Sequence, residues 1–287
     1  MIVLKSSSDH EWPWSRASSE AQAEEQFAAA YPALFAHMKA FESFVPPGGK
    51  APAGLRHRQD HGRYWWELRP CAYYELFERT KILYQEIQYY PSYTFEQDGM
   101  YTNNKVFLLP SSDLALLSVM NSPLMWWHNW RSLPHMKDEA LSPMGVLVEA
   151  LPIALPQSDT AALVERLVEI ASSRRGTTAA VADWLRHEFG IERAGQLLEA
   201  PERLDADAFI AAVRKARHGH LTAAEIGRLK REHEETVEPA RLAAAEAAAL
   251  ERRISDHVNA AYGLTPEDVA LMWRTAPPRM PGAPKTG

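Results

Sequence analysis

His57, Asp60 and His61 are the residues whose types and spacing best suit chemistry. A loop His-x-x-Asp-His brings two imidazoles and a carboxylate together, donors that divalent metals accept. A self-sufficient metal-dependent enzyme would be built on such a cluster. Arg56, Arg58 and Arg63 flank it and no second convincing ligand set accompanies it, so a solvated, arginine-flanked loop is the competing reading. The single cysteine, Cys71, lies between Pro70 and Ala72 among aromatics and reads as a small core residue rather than a nucleophile.

Asn121-Ser122-Pro123-Leu124 keeps the Asn and one proline of the Asn/Asp-Pro-Pro-Tyr tetrad that orients an adenine amine and stacks on the flipped base. It lacks the other proline and the aromatic, and no glycine-rich cofactor strand precedes it, so it reads as a break between two packed helices. The chain has no Gly-x-Gly-x-x-Gly, no Gly-x-x-x-x-Gly-Lys-Ser/Thr, no His-Glu-x-x-His and no Gly-x-Ser-x-Gly. Glu78-Arg79-Thr80-Lys81 lacks the Glu-x-Lys spacing of a metal-dependent nuclease. Taken by itself, the chain does not read as an enzyme.

What remains are surfaces that could read a polyanion. Between Lys50 and Lys81 there are seven cations against four acids, five of the cations being arginine, within a protein of net charge −6. Arginine's planar fork suits phosphates and guanine edges. Arg56, Arg58, Arg63 and Lys81 are the candidates here, with Tyr64, Trp65, Trp66, Tyr73 and Tyr74 interleaved. Those aromatics either fill a core beneath surface arginines or take part in binding. Asn103, Asn104 and Lys105 form a second candidate surface, since Asn pairs with adenine and Lys meets guanine or phosphate. An asparagine-stabilised turn is the alternative. His128 and Arg131, within Trp126-Trp127-His128-Asn129-Trp130-Arg131, form a third.

The elements that must position these groups change character along the chain. Seven of nine Trp and nine of ten Tyr precede residue 131, whereas Ala, Leu, Glu and Arg dominate beyond Pro156. The spacing predicts a helical segment over Ser19–Phe44 interrupted at Pro32, and strands over Lys81–Ile87, Tyr93–Phe95 and Lys105–Leu109. Asp98-Gly99 predicts a hairpin between the last two, and Ser111 or Ser112 a cap for a helix from Asp113. In the second half, Thr222 and Glu225 have capping-box spacing. Leu250, Ile254, Val258 and Tyr262 form one stripe on a long helix that closes near Gly263, and Thr265-Pro266 opens the next. The fold class is therefore α+β: a mixed α/β region with a small twisted sheet, followed by a mainly helical C-terminal region. The expected divisions are an entry segment and helix over 1–50, an α/β domain over 51–156, and helices over 157–287 with a disordered tail from about 276.

Composition narrows the class further. Apolar residues are 46% and charged residues 24%, as in globular chains. One cysteine rules out an internal disulfide or a cysteine zinc cage. The longest apolar run, Leu114–Trp127, is interrupted by Ser118, Asn121, Ser122 and Pro123, and the N-terminus lacks signal-peptide features. A cytoplasmic protein with no membrane partner is expected.

Arg63-Tyr64-Trp65-Trp66-Glu67-Leu68-Arg69 and Phe77–Ile87 resemble the TaqI-like target-recognition domain of adenine-specific DNA methyltransferases in type IIG-like restriction–modification systems. Gly99–Phe107, Leu116–Leu124, Leu151–Pro156, Trp12-Pro13-Trp14-Ser15 and the ending Leu250–Trp273 carry the same resemblance, which spans nearly the whole chain. It implies a specificity component that reads double-stranded DNA for a separately encoded methyltransferase or methyltransferase–nuclease polypeptide. S-adenosylmethionine would belong to that partner, and no cofactor to this chain. The catalytic domain with its Asn-Pro-Pro-Tyr is not represented here, so no catalytic residue carries over. Arginines around residues 56–69 would set register on phosphates, and binding by the chain alone would be weak and steeply salt-dependent. The alternative is a structural or regulatory interaction protein of a phage-defence system, or a decayed fragment, that does not read DNA.

Overall fold

Ser19 opens the first helix by accepting a hydrogen bond from the Gln22 N–H. In the computed structural model, which describes residues 2–157 and 159–282, α1 spans Glu20–Ala30 and α2 spans Pro32–Ala40. Pro32 occupies the first turn of α2, where its missing N–H removes no helical bond. The chain divides into two compact units between Phe77 and Glu78.

In the first unit both helices close on Trp14, Phe27, Tyr64, Trp65 and Trp66, all buried. Tyr64 stacks on Trp66 with centroids 4.9 Å apart, and Trp12 on Trp14 at 5.1 Å. The paired tryptophans of the arginine-rich segment are thus core. Glu67 lies fully buried among them. Its carboxylate accepts hydrogen bonds from Trp14 Nε1 (2.9 Å), the Ser7 N–H (3.1 Å), the Ser7 hydroxyl and the Tyr64 N–H (3.3 Å). Gly62 makes that enclosure possible: a Cβ there would stand 2.6 Å from the Leu68 carbonyl oxygen.

The second unit begins with β1 (Lys81–Gln85), whose Ile82, Leu83 and Tyr84 are buried. β2 (Thr94–Glu96) and β3 (Val106–Leu109) pair antiparallel with its two edges, in the order β2-β1-β3. Lys81 faces Glu96 across one edge and Gln85 faces Val106 across the other. The hairpin expected at Asp98-Gly99 is therefore not formed. Gly99, at φ 71°, turns the chain, but the connection then crosses to the far side of β1, the apolar strand that needs a neighbour on both edges.

Asp113, not Ser111 or Ser112, caps α3 (Leu114–Met120), accepting from the Ala115 and Leu116 N–H groups. Asn121 breaks the helix, and Ser122 caps α4 (Pro123–Ser132) through the Met125 N–H. After α5 (Gly145–Glu149) the Leu151–Pro156 stretch is fastened down: Tyr262 donates to the Pro152 carbonyl at 2.6 Å and accepts from the Ala154 N–H at 3.1 Å.

The remaining helices are α6 (Thr160–Phe189), α7 (Gly195–Leu198), α8 (Ala206–Arg217), α9 (Ala223–Glu232), α10 (Glu238–Ala261) and α11 (Pro266–Arg274). The capping boxes at Thr222/Glu225 and Thr265/Asp268 are both formed. A π-turn over His233–Val237 joins α9 to α10 ahead of Pro239. Val164 of α6 and Ile254 and Val258 of α10 share one core with Ile82, Tyr84 and Val119, so the helices pack on the sheet region rather than forming a layer of their own. Each such burial stabilises by about 1.5–3 kcal/mol. This α+β architecture has its compact-unit boundary at residue 77, inside the expected 51–156 domain, and none at 156. The structured chain also runs past 276: Met280 is buried with Trp126, Leu133 and Met272, while residues 283–287 lie outside the described part. Among the described residues no helix is long and apolar enough to cross a membrane.

Candidate nucleic-acid interface

The sequence candidates fall in both units, and their surroundings differ. Arg56 leaves a short 3₁₀ turn and meets Glu20 (2.6 Å), Glu42 (2.6 Å) and Glu24 (3.2 Å), with its guanidinium 5.4 Å from the Trp65 ring centre. Lys39 joins the same network through Glu24 and Glu42. Two cations thus face three carboxylates. Burial works against the charge on Arg56, yet Glu20 and Glu42 outweigh it and raise the pKa above the usual arginine value. This patch does not offer a phosphate a net positive field.

Arg58 donates to the backbone carbonyls of Glu67 (2.8 Å), Trp65 (3.2 Å) and Leu55 (3.3 Å). Arg63 donates to those of Ser15 (2.9 Å) and Ala17 (3.3 Å). Both thereby tie down loops around the tryptophan core, although the Leu55 and Glu67 carbonyls also accept from the Arg58 and Gly62 N–H groups. His57 Nε2 lies 2.9 Å from the Ser43 hydroxyl, and His61 Nδ1 turns to the Gly62 carbonyl. Among the described residues no group of three His, Cys, Asp or Glu is placed to hold a metal. Cys71 is half-buried rather than in the core, its N–H given to Asp9 at 2.6 Å.

In the second unit Lys81 is fully buried and ion-paired with Glu96. Burial opposes the Glu96 charge, but Lys81 and the N–H groups of Met100 and Asp98 prevail and hold its carboxyl below the ordinary range. Arg131 lies 3.8 Å over the Trp127 ring and donates to the carbonyls of Trp127 (2.8 Å) and Thr275 (3.0 Å). His128 is half-buried, and desolvation lowers its pKa, favouring the neutral ring.

Asn103, Asn104 and Lys105 are different: all three are exposed. They stand just before β3, whose first residue pairs with the last of β1. The Asn103 side chain accepts from the Lys105 N–H (3.0 Å), the Glu86 N–H donates to the Lys105 carbonyl (2.9 Å), and Lys105 Nζ meets Glu86 at 2.7 Å while staying 65% exposed. The same end of the sheet carries the loop after β1, where Ile87 (38%), Tyr89 (42%) and Tyr90 (60%) are exposed. The reading of the sequence passed over these tyrosines. Their signal was a Tyr-Tyr-Pro run a few residues past the end of a strand, where proline disfavours a central strand.

Asn121 takes up its polar groups on the β1–β2 loop: its Oδ1 accepts from the Tyr93 N–H, and its Nδ2 donates to the Tyr93 carbonyl. That is the helix-break role expected of the Asn-Ser-Pro sequence. The model of a family described as a domain of unknown function (DUF8810) matches residues 155–258, a span running from the fastened linker into α10. No curated protein and no solved structure matches the chain.

Proposed function

We propose that this chain is a DNA target-recognition component that serves a separately encoded adenine-N6 methyltransferase. The resemblance of its ordered motifs to TaqI-like recognition domains supplies the activity. The observation that carries the reading is the exposed end of the sheet. There, Asn103, Asn104 and Lys105 are exposed just before β3, and Tyr89 and Tyr90 are exposed in the loop after β1, with Arg279 5.2 Å from the Tyr89 ring centre, residue types able to meet base edges and stack. Reading shifts to this end from the arginine-rich segment, whose guanidinium groups hold carboxylates and carbonyls. A good bidentate Asn–adenine pair discriminates by about 1–3 kcal/mol. The partner, not this acidic chain, supplies most of the phosphate-neutralising charge and any S-adenosylmethionine.

Titrating labelled duplexes with the chain, alone and with a candidate methyltransferase, tests this. Binding should be weak alone and tighter and site-selective with the partner, and Asn103→Ala with Asn104→Ala should remove selectivity. Selectivity that survives this double change would sink the assignment. A second reading, an interaction protein that does not read DNA, is favoured by the exposed apolar cluster Phe41, Phe44 and Val45 in the first unit. It predicts tight protein partnering with no sequence preference on DNA.

A further inference from the structure

Arg214, Lys215 and Arg217 stand in the last turn of α8, and Arg228, Lys230 and Arg231 on α9, all six exposed. From Arg214 to Arg231 a single acid, Glu225, accompanies these six cations, in a chain of net charge −6. The two groups meet over Phe189 at the end of α6: the Arg217 guanidinium lies 5.9 Å from its ring centre and that of Arg228 5.6 Å. Arg217 pairs with Glu225 (2.5 Å) and Arg228 with Glu188 (2.6 Å). Among the described residues Arg214, Lys215, Lys230 and Arg231 pair with no acid, and each lies within one turn of a pinned arginine. Unlike Arg56, these four keep their charge for a partner. Glu232, Glu234 and Glu235 follow directly, so the cationic face stops at Arg231.

Attraction to the carbonyl end of each helix accounts for cations in a last turn, but not for the face of α9 between them. Ile226 and Leu229 pack on the core that α8 shares, while Ala223, Ala224 and Gly227 are exposed. Glycine inside a helix is less stable than alanine. A Cβ at Gly227 would meet nothing within 4 Å, so nothing in the chain requires glycine there. A slender face flanked by cations suits close approach to a groove walled by phosphates: a helix is about 10–12 Å across and the major groove of B-DNA about 12 Å wide. Among the described residues no large apolar side chain is exposed between 198 and 241, so the face lacks what a membrane-lying helix inserts. Phe209, the one aromatic residue of α8 and α9 apart from histidine, is fully buried, which leaves nothing to stack on unpaired bases. We infer that α9 and the last turn of α8 dock on the phosphate backbone of double-stranded DNA, setting position without reading sequence. The choice of DNA rests on the proposed recognition role, but Asn103 and Asn104 take no part in this contact.

Fluorescence anisotropy of the full chain on a labelled duplex of arbitrary sequence, followed across a salt series, tests this. Two or three phosphate contacts should give a slope of log affinity against log salt of roughly 2–3. Arg214→Gln, Lys215→Gln, Lys230→Gln and Arg231→Gln combined strand no carboxylate, and should lower affinity about tenfold or more at low salt and bring the slope below about 1. Gly227→Leu should weaken binding about threefold or more without lowering Tm. Asn103→Ala with Asn104→Ala should leave this sequence-blind binding unchanged. Single-stranded oligothymidylate and phosphatidylserine–phosphatidylcholine vesicles should both bind more weakly than the duplex. Absence of duplex binding, a slope unaltered by the fourfold change, affinity indifferent to Gly227→Leu, or tighter binding of either comparison overturns the proposal. The two DNA contacts fail separately. An unaltered slope with site selectivity intact removes the α8–α9 patch alone, whereas a lowered slope with no selectivity beside the methyltransferase removes base reading at the sheet end alone.

Discussion

Lys81 illustrates how a side chain's partner decides what the side chain is for. Its ammonium group is fully buried against Glu96, so Lys81→Met should destabilise the protein by about 3–5 kcal/mol by leaving a carboxylate unpaired. Denaturant melts would measure this, and adding Glu96→Leu should restore much of the loss. Because the Glu96 carboxyl is held below its ordinary value of 4.5, its contribution is complete above that pH and is lost as pH falls through the lower folded value. Acid melts of the wild type and the double variant should therefore run parallel above that range, and only the wild type should lose this contribution as pH falls through it. Arg63→Ala should cost about 1–2 kcal/mol through the Ser15 and Ala17 carbonyls. It should also leave the salt dependence of DNA binding unchanged; a flatter salt slope would return Arg63 to the interface. None of these partners was legible in the sequence. Glu20 and Glu24 lie more than thirty residues from Arg56, and a count of cations in a segment cannot see carboxylates folded onto it.

At the scale of elements, what the sequence revealed was local. The capping boxes, the proline at the start of α2, the glycine after α10 and the Leu250–Val258 stripe rest on neighbours within one or two turns, and all are present. The order of the sheet was not legible, because Asp98-Gly99 specifies a turn but not which edge of β1 the following strand finds. Ser122 tests the helix break: Ser122→Ala should cost about 1–2 kcal/mol by leaving the Met125 N–H uncapped. Glu225 is drawn down to about 2, first by the Thr222 N–H and then by Arg217 and the Thr222 hydroxyl. The start of α9 should therefore keep its box through mild acid and lose it only as pH falls toward that value, as helical circular dichroism would report.

For the whole molecule, the engaged arginines change what the chain can do unaided. Each phosphate contact adds about 0.9 to the slope of log affinity against log salt. With Arg56, Arg58 and Arg63 committed internally, the slope for the chain alone should stay below about 3 and steepen once a basic partner is present. A steep slope for the isolated chain would restore the arginine-rich segment as its interface. The composition change near Pro156 predicted a boundary there, yet the helices that follow share their core with the sheet, and Tyr262 fastens the linker to the end of α10. The span 155–258 is consequently no freestanding piece. Excised at those limits, it would lose Tyr262 and bare the flank on which Val164, Ile254 and Val258 rest against Ile82 and Val119. Such a fragment should clump as its concentration rises in sedimentation runs, whereas the intact chain keeps that greasy seam closed.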